Sequence, residues 1–169
     1  MVKIARTLPR ACVCEIFFVP LPREKYTCKA KFIMTKEEKV QYWLDIADYD
    51  IETAEAMYIT KRWLYVAFMC HQTIEKTLKA YWSFVRDDIP PKTHNHMRLA
   101  DGCELYEQMS EEQKSFLEII TNYNIEARYQ EDKVALARTL SPKVCRGLID
   151  DTKILQQWIK DKLSNIMKH

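Results

Sequence analysis

Apolar side chains recur at three- and four-residue steps over two long stretches of the chain, residues 36–59 and 63–86. This spacing places one apolar stripe along each stretch and predicts two amphipathic helices. The short connection between them, around Thr60 and Lys61, predicts that the two helices pack antiparallel. The stripes consist of Val40, Trp43, Leu44, Ala47, Ile51, Ala54 and Tyr58 in the first helix and Trp63, Ala67, Cys70, Ile74, Leu78, Tyr81 and Val85 in the second.

Two shorter apolar stripes follow the proline pair Pro90-Pro91, which ends the second helix. The first stripe predicts a short helix that ends at Ser110. The second predicts a helix that begins there, because Ser110 and Gln113 fit a capping box. The stripes hold Leu99, Cys103, Tyr106 and Met109, and then Phe116, Leu117, Ile120 and Tyr123.

A last long helix is predicted to begin with Ser141 as its N-cap and Pro142 at its first position. Before it, residues 124–130 are expected to leave helical form, and residues 134–137 to add one helical turn. The whole pattern predicts an all-α fold, an up-and-down bundle of about five helices. The face of the last helix consists of Val144, Cys145, Leu148, Thr152, Leu155, Ile159 and Leu163.

The glycine content supports a helical fold, since only Gly102 and Gly147 occur in 169 residues. Sandwiches and nucleotide-binding α/β folds need glycine at turns where φ is positive. Neither G-x-G-x-x-G nor the Walker A pattern can be written with two glycines so far apart. We therefore expect no conventional phosphate-binding loop and no cofactor.

The first 33 residues differ in charge from the rest of the chain. They hold seven basic and two acidic residues, whereas the remainder holds nineteen basic and twenty-two acidic ones. Their apolar run, residues 16–19, is too short for a membrane span. It also does not fit a signal peptide, because Glu15 interrupts the apolar stretch and no small-residue cleavage site follows. We expect residues 1–33 to be a disordered or spurious extension, and residues 34–169 to form the helical domain. The acidic body argues against DNA binding.

The six cysteines include no C-x-x-C pair, which argues against zinc or redox use. Cys70, Cys103 and Cys145 fall within or between the predicted helices, where a free thiol most often behaves as a small buried apolar group. Free thiols fit a reducing compartment, so we expect a cytoplasmic protein.

Three segments resemble the HEPN family (higher eukaryotes and prokaryotes nucleotide-binding domain). In the second helix Gln72, Glu75-Lys76 and Lys79-Ala80 match the family signature. Thr93-His94-Asn95 is similar to the family's Thr-His-Asp loop, and Ala127-Arg128-Tyr129 to its Ala-Arg-Tyr segment before the final helix. With the helix layout, the resemblance covers about residues 36–164.

The resemblance implies a helical bundle that usually dimerises and is often fused to, or encoded beside, a minimal nucleotidyltransferase. Some members are ribonuclease toxins, in which an Arg is followed after four to six residues by a His; here no His has an Arg at that distance before it. The resemblance therefore favours a non-catalytic binding domain, a homodimer that associates with a nucleotidyltransferase-type partner, a nucleotide, or both. The alternative is a divergent endoribonuclease toxin of a toxin–antitoxin pair.

The most specific residues predict a polar binding site at one end of the bundle. It would consist of Lys76, Lys79, His94, Arg128 and Tyr129, with Arg128 holding a phosphate or carboxylate and Tyr129 stacking or donating a hydrogen bond. Two simpler interpretations stay open. The lysines with Glu75 could form an ordinary solvated face, and Arg128 with Tyr129 could only lock their loop to the bundle.

Other candidate groups favour structural roles. His94 and His96 alone lack enough ligands for a metal site, so no metal is predicted. His71, beside the apolar stripe, is expected to be a satisfied interior or interface histidine. The tryptophans indicate core or dimer surface. Most of the acidic residues of the first helix are expected on its wet face; they are Asp45, Asp48, Asp50, Glu52 and Glu55.

Overall fold

The computed structural model describes residues 34–124 and 130–168, and within them it contains helices and no strand. This confirms the all-α bundle of about five helices; the described residues form six α-helices and one 3-10 helix. The predicted N-terminal extension, residues 1–33, lies outside the described residues. The elements are α1 (Lys36–Ile59), α2 (Trp63–Val85), α3 (His96–Gly102), a 3-10 helix (Tyr106–Gln108), α4 (Glu111–Thr121), α5 (Gln130–Thr139) and α6 (Pro142–Met167).

Helix α1 begins where its capping signals predict. The Thr35 hydroxyl accepts from the backbone N–H of Glu38, and the Glu38 carboxylate accepts from the Thr35 N–H at 2.7 Å. At the other end Lys61 adopts a left-handed φ of 59°, which turns the chain tightly toward α2. The Arg62 N–H then bonds back to the Met57 carbonyl at 2.8 Å. The predicted antiparallel α1–α2 pair follows from this turn.

Helix α2 is the central element of the bundle. Sixteen of its 23 residues are buried, because α1, α6 and the α3–α4 region pack around it. The buried part of this helix is therefore wider than the predicted apolar stripe. It includes polar residues such as Thr73, Thr77 and Ser83. Each of these hydroxyls donates to the carbonyl four residues before it, which satisfies it inside the core.

The prediction of one continuous helix up to Ser110 is wrong. Helix α3 ends at Gly102, Glu104 takes a left-handed φ of 59°, and a short 3-10 helix follows. The reversal buries Cys103 and Leu105 on the same core. Gly102 allows it, because a Cβ there would lie 2.3 Å from the Trp82 ring. Apolar spacing alone carries no sign of this turn.

The later helices begin at the predicted caps. Ser110 and Gln113 form the capping box of α4, and the Ser141 hydroxyl accepts from the Val144 N–H ahead of α6. Helix α5 spans ten residues, longer than the single turn expected at 134–137. Acidic residues in its first turn and Arg138 in its last favour this helix electrostatically. Throughout the described ranges, every helix is too short or too polar to cross a membrane.

The acidic residues of α1 are only partly on a wet face. Asp45 and Glu52 are exposed as predicted. Asp48, Asp50 and Glu55 instead bind side chains of the neighbouring helices. The three predicted buried thiols, Cys70, Cys103 and Cys145, are free and buried.

Candidate functional site

A buried carboxylate, Glu75 at the middle of α2, organises the polar residues around it. Its side chain is 3% exposed. Oε1 accepts from the Lys79 ammonium at 2.7 Å, one helical turn along α2. Oε2 accepts from His94 Nδ1 at 2.8 Å, which comes from the loop before α3. Two of the predicted site residues therefore meet on a carboxylate that the prediction had left outside the site.

Glu75 is held in its charged form. Burial alone would raise its pKa, but hydrogen bonds from basic neighbours, Lys79 and His94 among them, outweigh burial and hold the pKa well below its usual range. At neutral pH the group is thus a carboxylate that ties α2 to the following loop.

Two fully buried imidazoles lie on the inner side of Glu75. The rings of His71 and His96 have centroids 4.3 Å apart, and both side chains are inaccessible to solvent. His71 Nδ1 lies 3.0 Å from the Ile120 carbonyl, and its Nε2 lies 3.6 Å from Glu75 Oε2. The predicted interior position of His71 is confirmed, but its Nε2 has no hydrogen-bond partner among the described residues.

His96 is the first residue of α3, directly after the N-cap Asn95, whose side chain accepts from the Arg98 N–H at 3.0 Å. This cap directs the His96 ring into the core. Neither ring nitrogen has a hydrogen-bond partner within the described part of the chain. Burial and the neighbouring His71 lower the pKa of His96 well below its ordinary value, so the ring is neutral at pH 7.

Lys76 lies apart from this cluster. Its ammonium binds Asp50 of α1 at 3.3 Å and the Gln72 side chain. Its side chain is 17% exposed, and that of Lys79 is 11% exposed and 5.3 Å from the centre of the Trp43 ring. The structure therefore brings Lys79 and His94 together and directs Lys76 toward α1. Both lysines are paired and largely covered, unlike an ordinary solvated face.

The other two predicted site residues, Arg128 and Tyr129, lie outside the described residues. Their part in a site stays a prediction. Among the predicted site residues that the structure describes, His94 has the most exposed side chain, at 49% against 17% for Lys76 and 11% for Lys79. An open groove of about 440 Å³ is lined by residues that follow His94 in the chain, from Asn95 to Glu107, and Arg98 and Tyr106 are among them.

An apolar surface lies on α4 and α6. Ile154 of α6 is 66% exposed and borders two grooves, one with Phe116 of α4 and one with Trp158 of α6. Charged residues line the same grooves beside these apolar side chains; they are Asp151, Lys153 and Asp161. We call Phe116, Ile154 and Trp158 the α4–α6 surface.

The arginine of the last helix is engaged in a structural contact. Arg146 binds both oxygens of Glu55 at 3.0 and 3.1 Å and lies 4.1 Å from the centre of the Tyr58 ring. Within residues 34–124 and 130–168, no arginine side chain forms a hydrogen bond with a histidine side chain.

The inner cluster of His71, Glu75 and His96 was missed by sequence reasoning. The spacing of His71 and Glu75, four residues apart on one helix face, was visible in the sequence. The approach of His96 was not, because it depends on the path of residues 86–95 back over α2.

Comparisons with known proteins agree with this architecture. The family model described as HEPN domain matches residues 40–162. Among solved structures, the chain is similar to TT1696 from Thermus thermophilus, with a TM-score of 0.63 and 16% identity, covering 73% of this chain and 98% of that one. At this identity the likeness concerns the fold alone. A search of curated proteins found no match.

Proposed function

Because this chain belongs to the HEPN domain family, we propose that it is a binding domain that acts by association and does not cleave RNA. The observation that carries the proposal is the α4–α6 surface. Ile154, two-thirds exposed, lines both grooves and so joins Phe116 and Trp158 into one apolar patch; a contiguous patch of this kind, unlike a single exposed side chain, favours an interface. The Arg146 side chain of α6 is bound to Glu55, so it is not free to act on an RNA phosphate. This favours a binding role over RNA cleavage.

The first partner is a second copy of the chain, which would form a homodimer through the α4–α6 surface. A twofold interface uses the same patch on both copies, and α4 and α6 supply neighbouring apolar side chains for it. Burial of Ile154 and Trp158 against their counterparts would remove this apolar surface from water.

The second partner is a protein of the nucleotidyltransferase type, which we favour over a free nucleotide. Lys76 and Lys79 are paired with carboxylates and largely covered, so they offer little charge to a phosphate. His94, together with Arg128 and Tyr129, would contact the partner instead. We expect the two proteins to associate in the cytoplasm, and the association would need no cofactor.

Light scattering on the purified chain tests the homodimer. The wild type is expected at twice the monomer mass at micromolar concentration, and Ile154→Glu at the monomer mass, because a buried carboxylate without a partner opposes association. Ile59→Glu is the matched control, since Ile59 is 78% exposed at the end of α1 and lines neither groove of the α4–α6 surface. A monomeric wild type, or equal effects of both changes, would contradict the proposal.

The partner is tested by co-expression with a minimal nucleotidyltransferase, taken from the neighbouring reading frame if one is encoded there. The two proteins are expected to co-purify, and Arg128→Ala with Tyr129→Ala to weaken this while the melting temperature is kept. Induced expression of the chain alone tests the toxin alternative. Growth arrest with RNA degradation would overturn the binding-domain proposal.

A further inference from the structure

We propose that His71, Glu75 and His96 form a binding site for one divalent transition-metal cation, of which Zn²⁺ is the probe. One ligand atom from each residue, two imidazole nitrogens and a carboxylate oxygen, lies within 4.8 Å of the others, and all three residues are buried. Two imidazoles and one carboxylate form a ligand set that binds zinc and related cations. The site is independent of the proposed association.

The hydrogen bond of His71 fixes the state of its ring. A carbonyl oxygen only accepts, so Nδ1, 3.0 Å from the Ile120 carbonyl, carries the proton. In the neutral ring Nε2 therefore presents a lone pair, and it does so 3.6 Å from an oxygen of the Glu75 carboxylate. Two electron-rich atoms facing each other in a dry interior repel, unless a cation lies between them.

His96 supplies the third ligand. Its ring lies against His71, and both of its nitrogens are buried without a hydrogen-bond partner among the described residues. Buried polar groups in native proteins nearly always have a partner, so an unpartnered imidazole beside a carboxylate needs an explanation. A metal ion satisfies His71 Nε2 and a nitrogen of His96 together. Small rotations of the rings would bring the ligand atoms to about 3.4 Å from one another, the separation of a tetrahedral site.

The surroundings resemble the outer shell of a metal site. The Ile120 carbonyl orients one ligand imidazole, and His94 donates to the ligand carboxylate. His94 is half exposed and Glu75 is 3% exposed, so a cation from solvent would reach Glu75 by displacing the His94 ring. Lys79 opposes the cation by charge, but it binds Oε1; Oε2 accepts from His94 with one lone pair and keeps the second for the metal.

Zinc titration of the metal-stripped chain tests the proposal. Cys12, Cys14 and Cys28 are replaced by serine in the full chain, so that thiols of the N-terminal segment do not compete. We expect one Zn²⁺ per chain and a rise in melting temperature. Co²⁺ is expected to bind with a visible spectrum of nitrogen and oxygen ligands, without a thiolate charge-transfer band.

Three variants of this chain make the test specific. His96→Leu is expected to weaken zinc binding by more than about 100-fold, since even changes to ligand partners weaken metal sites 10- to 100-fold. The metal-free variant should remain folded, because leucine removes an unpartnered polar group from the core. Lys79→Met should tighten binding by removing a competing charge, and His169→Gln, a histidine at the C-terminus, should leave it unchanged. Absence of zinc binding, or stoichiometric binding that survives His96→Leu, would overturn the proposal; a proton or water would then occupy the cluster.

Discussion

At the scale of single residues, Glu75 stabilises the α2–α3 region through charge in a dry setting. Replacing it by glutamine leaves Lys79 without its counter-charge at 11% side-chain exposure. We expect Glu75→Gln to lower the free energy of unfolding by about 3 kcal/mol at pH 7, because breaking a buried ion pair leaves an unpaired charge. Urea unfolding measures this. Glu52→Gln, at an exposed position of α1, is the control, and equal effects of the two changes would contradict the role given to Glu75.

His96 makes the stability of the metal-free chain depend on pH. Its pKa in the folded state lies well below 6.5, so below pH 6.5 the unfolded chain binds a proton that the folded chain does not. Stability is therefore lost as pH falls below 6.5, with a slope approaching about 1.4 kcal/mol per pH unit. His96→Leu should remove this part of the slope between pH 6.5 and 5. Chemical denaturation of both proteins, with chelator present, would show parallel curves if His96 had no such effect.

At the scale of elements, the end of α3 depends on the contact between Gly102 and Trp82. A Cβ at Gly102 would lie 2.3 Å from a carbon of the Trp82 ring. Gly102→Ala is expected to destabilise the fold by about 2 kcal/mol, because the buried indole must shift in a packed core. Gly147→Ala in α6 is the matched control. It meets nothing within 4 Å and should stabilise by about 0.5–1 kcal/mol through helix propensity. Thermal unfolding compares the two, and a neutral Gly102→Ala would contradict this account.

The elements that the sequence predicts well are those with strong local signals. The first residues of α1, α4 and α6 follow from Thr35, Ser110 and Ser141, whose side chains act within one turn. The break after α3 could not be predicted, since Cys103 keeps helical spacing and the reversal is decided by packing on a distant tryptophan.

In the candidate site, too, the local contact could be predicted from the sequence and the long-range contact could not. The meeting of Lys79 with Glu75 is a four-residue helical contact and is visible in the sequence. The approach of His96 to His71 depends on tertiary structure over 25 residues, so it could not be predicted.

At the scale of the whole molecule, α1 and α6 are joined by charge. Glu55 binds both Arg146 and Lys153, and Asp48 binds Lys160 together with Gln156. These pairs are partly exposed, so dissolved salt screens them, whereas the apolar contacts of α2 are not screened.

The ion pairs between α1 and α6 therefore predict that α1 opens locally before α2 when salt weakens them. In 1 M NaCl we expect backbone amide hydrogens of α1 to exchange with deuterium faster than in 50 mM NaCl, while those of the buried α2 keep their protection. Mass spectrometry of deuterated peptides resolves the two helices. Glu55→Gln should reproduce the effect at low salt, and equal acceleration in α1 and α2 would indicate global unfolding instead. If only α1 exchanges faster, ionic strength controls the local stability of one helix without unfolding the rest of the bundle.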